Sequence, residues 1–321
     1  MLDQLFSSIN NSRIAVVGDL MLDRYVWGVV ERISPEAPVP IVSQTGESSN
    51  LGGAANVAAN VSSLGASSAL YGLIGNDSDG VLLRSIVIDS KIDADALLID
   101  PTRPTSVKTR VIAHNQHVVR IDRESTRPMS AELQTQFLDN LLTGLQSCNA
   151  LILEDYNKGV LTEEVIKQTI SACRERGIPV GVDPKKENFW NYKGATLFKP
   201  NLKELEIAIG SKLRDDASLE SAGQMVLKDL DLKYLLVTRG EKGMALFTED
   251  DTHFIPTRAH KVHDVSGAGD TVIATIMTAL AGGADIYQAA ILANYAASIV
   301  IAEIGAVPID ATELRRICVG R

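Results

Sequence analysis

Basic charge, cysteine and long apolar runs are all scarce in this sequence, and each scarcity excludes something. The 321 residues include 31 lysines and arginines against 40 aspartates and glutamates, a net charge of −9. A nucleic-acid partner normally needs a basic face, so none is expected. A small anionic ligand would need a local cluster of cations or oriented backbone dipoles. Cys148, Cys173 and Cys318 are far apart and odd in number, which fits reduced thiols in a cytoplasmic protein rather than a disulfide framework. No apolar run is long enough to cross a bilayer, and the opening MLDQLFSSIN lacks the basic start and apolar centre of a signal peptide. The expectation is a soluble cytoplasmic protein with no membrane partner. No glycine is followed by lysine, so there is no Walker loop. His-Glu-x-x-His, Cys-x-x-Cys and Gly-x-Ser-x-Gly are also absent, and zinc-hydrolase and α/β-hydrolase readings lose their main support.

What is present is a chain that is 45% hydrophobic, enough to bury a real core. RIAVVG (13–18) reads as a buried first strand, GGAANVAANVSSLG (52–65) as a small-residue helix entered through two glycines, and SALYGLIG as the next strand. NALILED, IPVGVDP, ATLFKP and KYLLVTRG read as further strands. Helices are expected over 162–176, stopped by Gly177, and over 201–209. This alternation predicts an α/β fold with a central, mostly parallel sheet and helices on both faces. Residues 267–282 and 285–304 read as alanine-rich helices. Residues 24–44 and 105–122 break the alternation with period-two segments and edge prolines, and are expected to form a small β lid on a single domain spanning 1–321.

The most informative stretch is DVSGAGDT (264–271). Unpaired N–H groups and the positive dipole end of a helix attract anions, and glycines let a phosphate approach closely. If a helix starts near Gly267, the N–H groups of Gly267, Ala268, Gly269 and Asp270 converge on one point. Asp270 stands where a Walker loop carries lysine. A carboxylate there can take the proton of a hydroxyl that attacks the bound phosphate, or it can simply complement the helix dipole. The spacing alone leaves both open. A dinucleotide fingerprint is excluded, because GAGDTV has valine where the third glycine belongs.

DVSGAGDT resembles the C-terminal signature of the ribokinase (PfkB-type) carbohydrate kinases, and LGGAANVAANVSSLGA resembles their N-terminal one. KPNLKELE (199–206) looks like their Asn-x-x-Glu element, and VTRGEKG (237–243) like their nucleotide loop. The four elements occur in the family's order. Within the family, DLMLDRYVWGVVERISPEAPVPIV, KTRVIAHNQHVVRID, LEDYNKG and DPKKENFWNYKGATLFKPN resemble the D-glycero-β-D-manno-heptose 7-phosphate kinases. These use ATP to phosphorylate the anomeric oxygen, on the route to ADP-heptose for lipopolysaccharide. No His-x-Gly-His motif occurs, so the chain resembles the kinase half of a type often fused to a nucleotidyltransferase, and that second activity is expected on a separate protein. One departure is Val265, where many members have threonine.

The resemblance implies a ribokinase-like fold, ATP and Mg²⁺ as cofactors, and a monovalent cation as a further candidate. It makes Asp270 the catalytic base and Gly267, Ala268, Gly269 and Asp270 the anion hole. Asn201 and Glu204 read, as residues, as the capping box of the helix they open. The resemblance adds Glu204 holding water around Mg²⁺, with Asn201 near the phosphates. Thr238, Gly240 and Gly243 would border the nucleotide, with Asn294 on its adenine side. Asp19, Gly52, Gly53 and Asn56 would line the sugar, with Asp155 among the substrate ligands. Arg110, Lys158 and Lys185 are the candidates for the substrate's own phosphate, since guanidinium and ammonium groups suit that anion. Asn115 is a candidate hydroxyl ligand, whereas His114 and His117 fit the lid surface better than a metal. A homodimer through the lid is a family expectation. Two alternatives stand beside this reading: a kinase of the same fold for another sugar or sugar phosphate, and a non-catalytic sugar- or nucleotide-binding regulator.

Overall fold

A computed structural model describes residues 2–114, 116–258, 261–303 and 305–319. In chain order, α1 (Leu2–Ile9) and β1 (Arg13–Gly18) lead into two long strands, β2 (Leu20–Ile33) and β3 (Pro40–Gly53). Then come α2 (Ala54–Ser63), β4 (Ser67–Tyr71), β5 (Leu73–Ile74), α3 (Ser78–Asp89), β6 (Leu98–Ile99), β7 (Ser106–Ala113), β8 (Gln116–Arg123) and α4 (Ala131–Gly144). The next run is β9 (Ala150–Glu154), α5 (Glu163–Arg176), β10 (Val180–Asp183), β11 (Leu197–Phe198), α6 (Leu202–Ile209), α7 (Asp216–Asp229) and β12 (Tyr234–Thr238). β13 (Met244–Phe247), β14 (Thr252–Ile255), α8 (Ala268–Ala281), α9 (Ile286–Val300) and α10 (Ala311–Val319) complete the order.

The main sheet has the order β14-β13-β12-β11-β10-β9-β1-β4. It is parallel from β12 to β4, and β13 and β14 add an antiparallel hairpin at one edge. Strands buried on both sides must be apolar, and β1 is from Ile14 onward: Ile14 and Val16 enter one core while Ala15 and Val17 enter the other. β9 divides the same way, with Ala150 and Ile152 on one side and Leu151 and Leu153 on the other. Residues of α2, α8 and α9 pack into the first core, and residues of α4, α5 and α7 into the second.

The two stretches that broke the alternation form a second sheet in the order β3-β2-β7-β8. Its strands extend beyond the expected 24–44 and 105–122. β2 begins four residues earlier than expected and pairs with β3 back to Leu20–Gly53, because buried Leu20, Met21 and Leu22 continue the strand to the rim of the main sheet. The helix expected to reach Ile304 ends at Val300, followed by a turn over 301–303, and Ile304 lies outside the described residues. The helix over 162–176 has the expected ends, with Thr162 as N-cap and left-handed Gly177 as C-cap.

Parallel strands present their carboxyl ends on one edge, where ligands of such folds bind. Here that edge carries Asp19 after β1, Glu154–Lys158 at β9, Asp183–Lys185 at β10, Lys199–Glu204 after β11 and Thr238–Gly240 at β12.

Candidate active site

Gly267 is the N-cap of α8 and sits at φ 77°, a conformation that favours glycine. A Cβ there would also lie 2.9 Å from Asn56 Nδ2. Asp264 fixes the loop from behind, accepting the N–H groups of Ser266 (2.9 Å) and Gly305 (3.0 Å). Three of the four expected anion-hole donors, on Gly267, Gly269 and Asp270, bond no protein acceptor among the described residues. Ala268 differs. Its N–H donates to Val265 O at 3.3 Å, closing the turn.

Asp270 lies in the first turn of α8 and is buried. Its Oδ2 accepts from Asn56 Nδ2 at 2.8 Å and its Oδ1 from the Tyr156 hydroxyl at 3.2 Å. Asn56 is held by Asn60, whose Nδ2 donates to the Asn56 carbonyl at 2.9 Å. Asn60 Oδ1 in turn accepts from the Thr271 hydroxyl, so α2 and α8 are locked together behind the carboxylate. Burial pushes Asp270 up to about 6; the Asn56 bond opposes this, nearby Asp183 adds to it, and Lys199 and Tyr156 oppose it. A carboxyl tuned this way is ionised at neutral pH and remains a better proton acceptor than an exposed aspartate.

A cavity of about 390 Å³ opens in front of Asp270. Gly267, Gly269 and Val265 form one wall, and Asn201, Glu204, Thr238 and Gly240 another. A parallel bridge between Asn201 and Thr238 joins two of the quoted motifs directly. A second cavity of about 440 Å³ shares Thr238, Gly240, Val265 and Gly269 with the first and continues past Gly243, Met244, Val272 and Asn294. The pair offers a charged end and an apolar end, the division a nucleotide requires. Asn294, buried in α9, donates to Pro256 O at 2.7 Å, which meets its need for a partner.

The capping box is real. Glu204 Oε2 accepts the Asn201 N–H and Asn201 Oδ1 accepts the Glu204 N–H. Glu204 Oε1 pairs with Lys185 Nζ at 2.8 Å. Lys185, expected in the substrate-phosphate clamp, thus stands beside Glu204 in the wall of the first cavity. Burial alone would lower its pKa, but Asp183, Glu204 and Glu154 raise it overall.

Asp155, a candidate substrate ligand, is engaged within the protein. Its oxygens accept from the Asn157 N–H (2.8 Å), Asn188 Nδ2 (3.0 Å) and the Tyr192 hydroxyl (2.7 Å), so it anchors a loop. Asp19 behaves similarly, accepting the N–H groups of Tyr156 (2.8 Å), Lys158 (3.0 Å) and Val160 (3.3 Å). Burial, then Asp155, push Asp19 up to about 6, against those three bonds. It ties the 155–160 loop to the end of β1.

On the side of the second sheet, Arg110 pairs with buried Asp23 at 2.5 Å and Lys158 with Glu124 at 2.6 Å. Gly52 leaves room for that aspartate, since a Cβ would stand 2.8 Å from Asp23 Oδ2. Gly53, at φ 56°, turns the chain into α2. Asn115 lies outside the described residues. His114 Nε2 contacts the Val30 backbone within the sheet, consistent with a surface role.

Several residues were not anticipated from sequence. Tyr156 bonds Asp270 and lies beneath two ammonium groups, Lys108 Nζ at 4.9 Å and Lys185 Nζ at 5.1 Å from its ring centre. Lys108, on β7, brings a further cation to the Asp23 and Glu124 neighbourhood, and burial lowers its pKa. Lys199 is buried and pairs with Asp183 at 2.7 Å. The quoted motifs contained all of these, but only their convergence marks them.

Comparison with known proteins agrees with this geometry. A family model described as pfkB family carbohydrate kinase matches residues 11–312. The chain belongs to this family. Among curated relatives of this pfkB-family chain, the bifunctional protein HldE of Pelobacter propionicus is 43% identical over 98% of the chain, and that of Geotalea uraniireducens 44% identical over 98%. The chain spans 64% of the length of each. Arabidopsis thaliana ribokinase, solved with ribose and ATP, superposes with a TM-score of 0.75 at 22% identity, covering 94% of this chain and 98% of its own. Escherichia coli phosphofructokinase-2 with substrates and products gives 0.78 at 19%, covering 96% and 98%. These two likenesses establish the ribokinase-like fold.

Proposed function

We propose that this pfkB-family chain is an ATP-dependent kinase of D-glycero-β-D-manno-heptose 7-phosphate that phosphorylates the anomeric hydroxyl. The observation that carries the reading is Asp270, a buried and oriented carboxylate beside three N–H donors at the start of α8. The HldE relatives, called bifunctional and matched over 64% of their length, support the heptose branch.

In this reading the nucleotide occupies the two adjoining cavities, its base end toward Asn294 and its phosphates toward Gly267–Asp270. The sugar lies on the other side of Asp270, between Asn56 and the second sheet. Asp270 takes the anomeric proton while the Gly267, Gly269 and Asp270 N–H groups stabilise charge on the transferred group. Asn56 and Tyr156 hold the carboxylate toward the attacking oxygen. Both Glu204 oxygens are engaged, which suits contact with a metal's water shell rather than direct ligation. Mg²⁺ bound with ATP would supply charge neutralisation on the phosphates. The sugar's 7-phosphate meets Lys108, Lys158 and Arg110. The exposed apolar residues Val118, Val119 and Ile121 on edge strand β8 suit pairing of two lids in a homodimer. A cytoplasmic location fits this chemistry, and a monovalent cation remains part of the proposal.

The test is ATP-dependent ADP release with heptose 7-phosphate, fructose 6-phosphate, fructose 1-phosphate, ribose and fructose. Turnover confined to heptose 7-phosphate is expected. Preference for another sugar would refute the substrate, and ATP binding without any turnover would favour a regulator.

The acid limb gives a second check. Asp270 must be ionised to accept a proton, and burial has raised it to about 6. kcat should fall below about pH 6 and stay level above it until the enzyme's alkaline limit. A profile flat down to pH 4.5 would remove Asp270 from the role of base.

A further inference from the structure

Two of the three cations beside the second sheet already hold an acid, and the two acids are held very differently. Asp23, paired with Arg110 at 2.5 Å, is buried in β2 with Gly52 close against its carboxylate. It is part of the wall. Glu124, paired with Lys158 at 2.6 Å, is the first residue after β8, and residues 124–130 form neither helix nor strand. Its side chain is 26% exposed, and its carboxylate makes no other hydrogen bond among the described residues. Side-chain rotation alone can withdraw it to water.

Lys158, in contrast, is fixed through its backbone. Its N–H donates to Asp19 at 3.0 Å and its carbonyl accepts from Arg103 Nη1 at 2.9 Å. Lys108 and Arg110, two residues apart on β7, share a face of the second sheet. Lys108 lies in the field of Asp23, Glu124 and Lys158 together. Asp122, also near, is taken by two nitrogens of Arg120. Against Asp23 and Glu124, the three cations Lys108, Arg110 and Lys158 leave a single positive charge. Against Asp23 alone they leave two, which matches the charge of about −1.5 to −2 on a phosphate monoester at neutral pH. With Glu124 in place, an entering anion meets like charge at the very ammonium it would bind.

We propose that Glu124 occupies, in the unliganded chain, the place on Lys158 that the substrate's phosphate takes, and that the phosphate displaces it on binding. This rests on the reading that a sugar phosphate binds between Asp270 and the second sheet. A sugar without the phosphate has nothing with which to displace the acid, so Glu124 selects for charge on the ligand while the rest of the site selects the sugar.

The experiment is calorimetric titration of the nucleotide-free chain with heptose 7-phosphate, for wild type, Glu124→Gln, Lys158→Met and the double variant. Glutamine can still accept from Lys158, so the loop is kept while the competing charge is removed. Glu124→Gln should bind the ligand about 3–10-fold tighter, the scale of one partly exposed ion pair. Most of that gain should be lost in the Lys158→Met background. Weaker binding by Glu124→Gln would make the acid a ligand in its own right and overturn the proposal. Unchanged binding, or an equal gain with and without Lys158, overturns it too. Should heptose 7-phosphate not bind at all, the heptose reading falls and inorganic phosphate becomes the probe. The same Lys158-dependent gain then upholds the placeholder, and its absence refutes it. Conversely, normal turnover of heptose 7-phosphate with no gain from Glu124→Gln refutes the placeholder and leaves the kinase reading standing.

Discussion

Asp270→Asn should lower kcat by about 10³-fold, within the range expected for losing a positioned general base, while leaving ATP affinity nearly unchanged. Asparagine fills the same space and can still meet Asn56 and Tyr156, so the cavity walls and the backbone donors at Gly267 and Gly269 stay in place. Only the ability to accept a proton disappears. Stability separates this from damage to the fold. The folded chain holds the Asp270 proton more tightly than the unfolded one, with the group raised from 3.8 to about 6. Ionising it therefore costs stability as pH rises from about 4 through 6, and the cost stands in full at neutral pH. Removing the charge should raise the unfolding free energy at pH 7 by an amount of order 1–3 kcal/mol. A variant that is inactive and no less stable, as judged by steady-state kinetics and urea denaturation, fits a base placed at the expense of stability. Unchanged turnover would sink the assignment.

The sequence disclosed the frame of this site more fully than its interior. RIAVVG, NALILE and IPVGVD are short enough and apolar enough to be buried parallel strands, and each leads into an acid: Asp19, Glu154 with Asp155, and Asp183. Parallel strands bring those acids to one edge, so the sheet alone locates the ligand side of the molecule. The glycines of the 264–271 loop point to the proposed anion hole for a local reason, since φ at Gly267 and close approach are both written in residue type. What stayed hidden depends on distance in the chain. Tyr156 and Lys199 carry no local signal, and become site residues only because β9, β11 and α8 end together. The direction of Lys185 was hidden for the same reason: beside Asp183 in sequence, it could turn either way, and its pairing with Glu204 comes from the fold. The expected lid stopped at residue 44, short of the end of β3, where the strand's residues up to Asn50 are polar or glycine. The strand's pairing with β2 over the full length comes from the partner. Ala268 shows how fine the limit is, since a turn bond to Val265 engages its N–H and no residue type announces that.

Lys108→Met should raise the KM for heptose 7-phosphate by about 10–100-fold, the loss of one hydrogen bond to a charged group, with kcat changed only a few-fold. Lys108 projects from β7, stands over the Tyr156 ring and shares its surroundings with Asp23, Glu124 and Lys158. Burial already lowers its pKa, and an incoming dianion would reverse that, so its attraction for a phosphate is greater than that of a solvated lysine. Methionine keeps the stem and its packing on Tyr156 while deleting the charge. The contrast with Lys185→Met makes the experiment decisive. Lys185 pairs with Glu204 across the nucleotide cavity, so its loss should act on ATP parameters and leave the sugar's KM largely alone. A sugar without the 7-phosphate gains nothing from Lys108, and its weak turnover, where measurable, should be the same in Lys108→Met and wild type. Equal KM for heptose 7-phosphate in both would move the substrate's phosphate away from β7, toward Arg110 or out of the site.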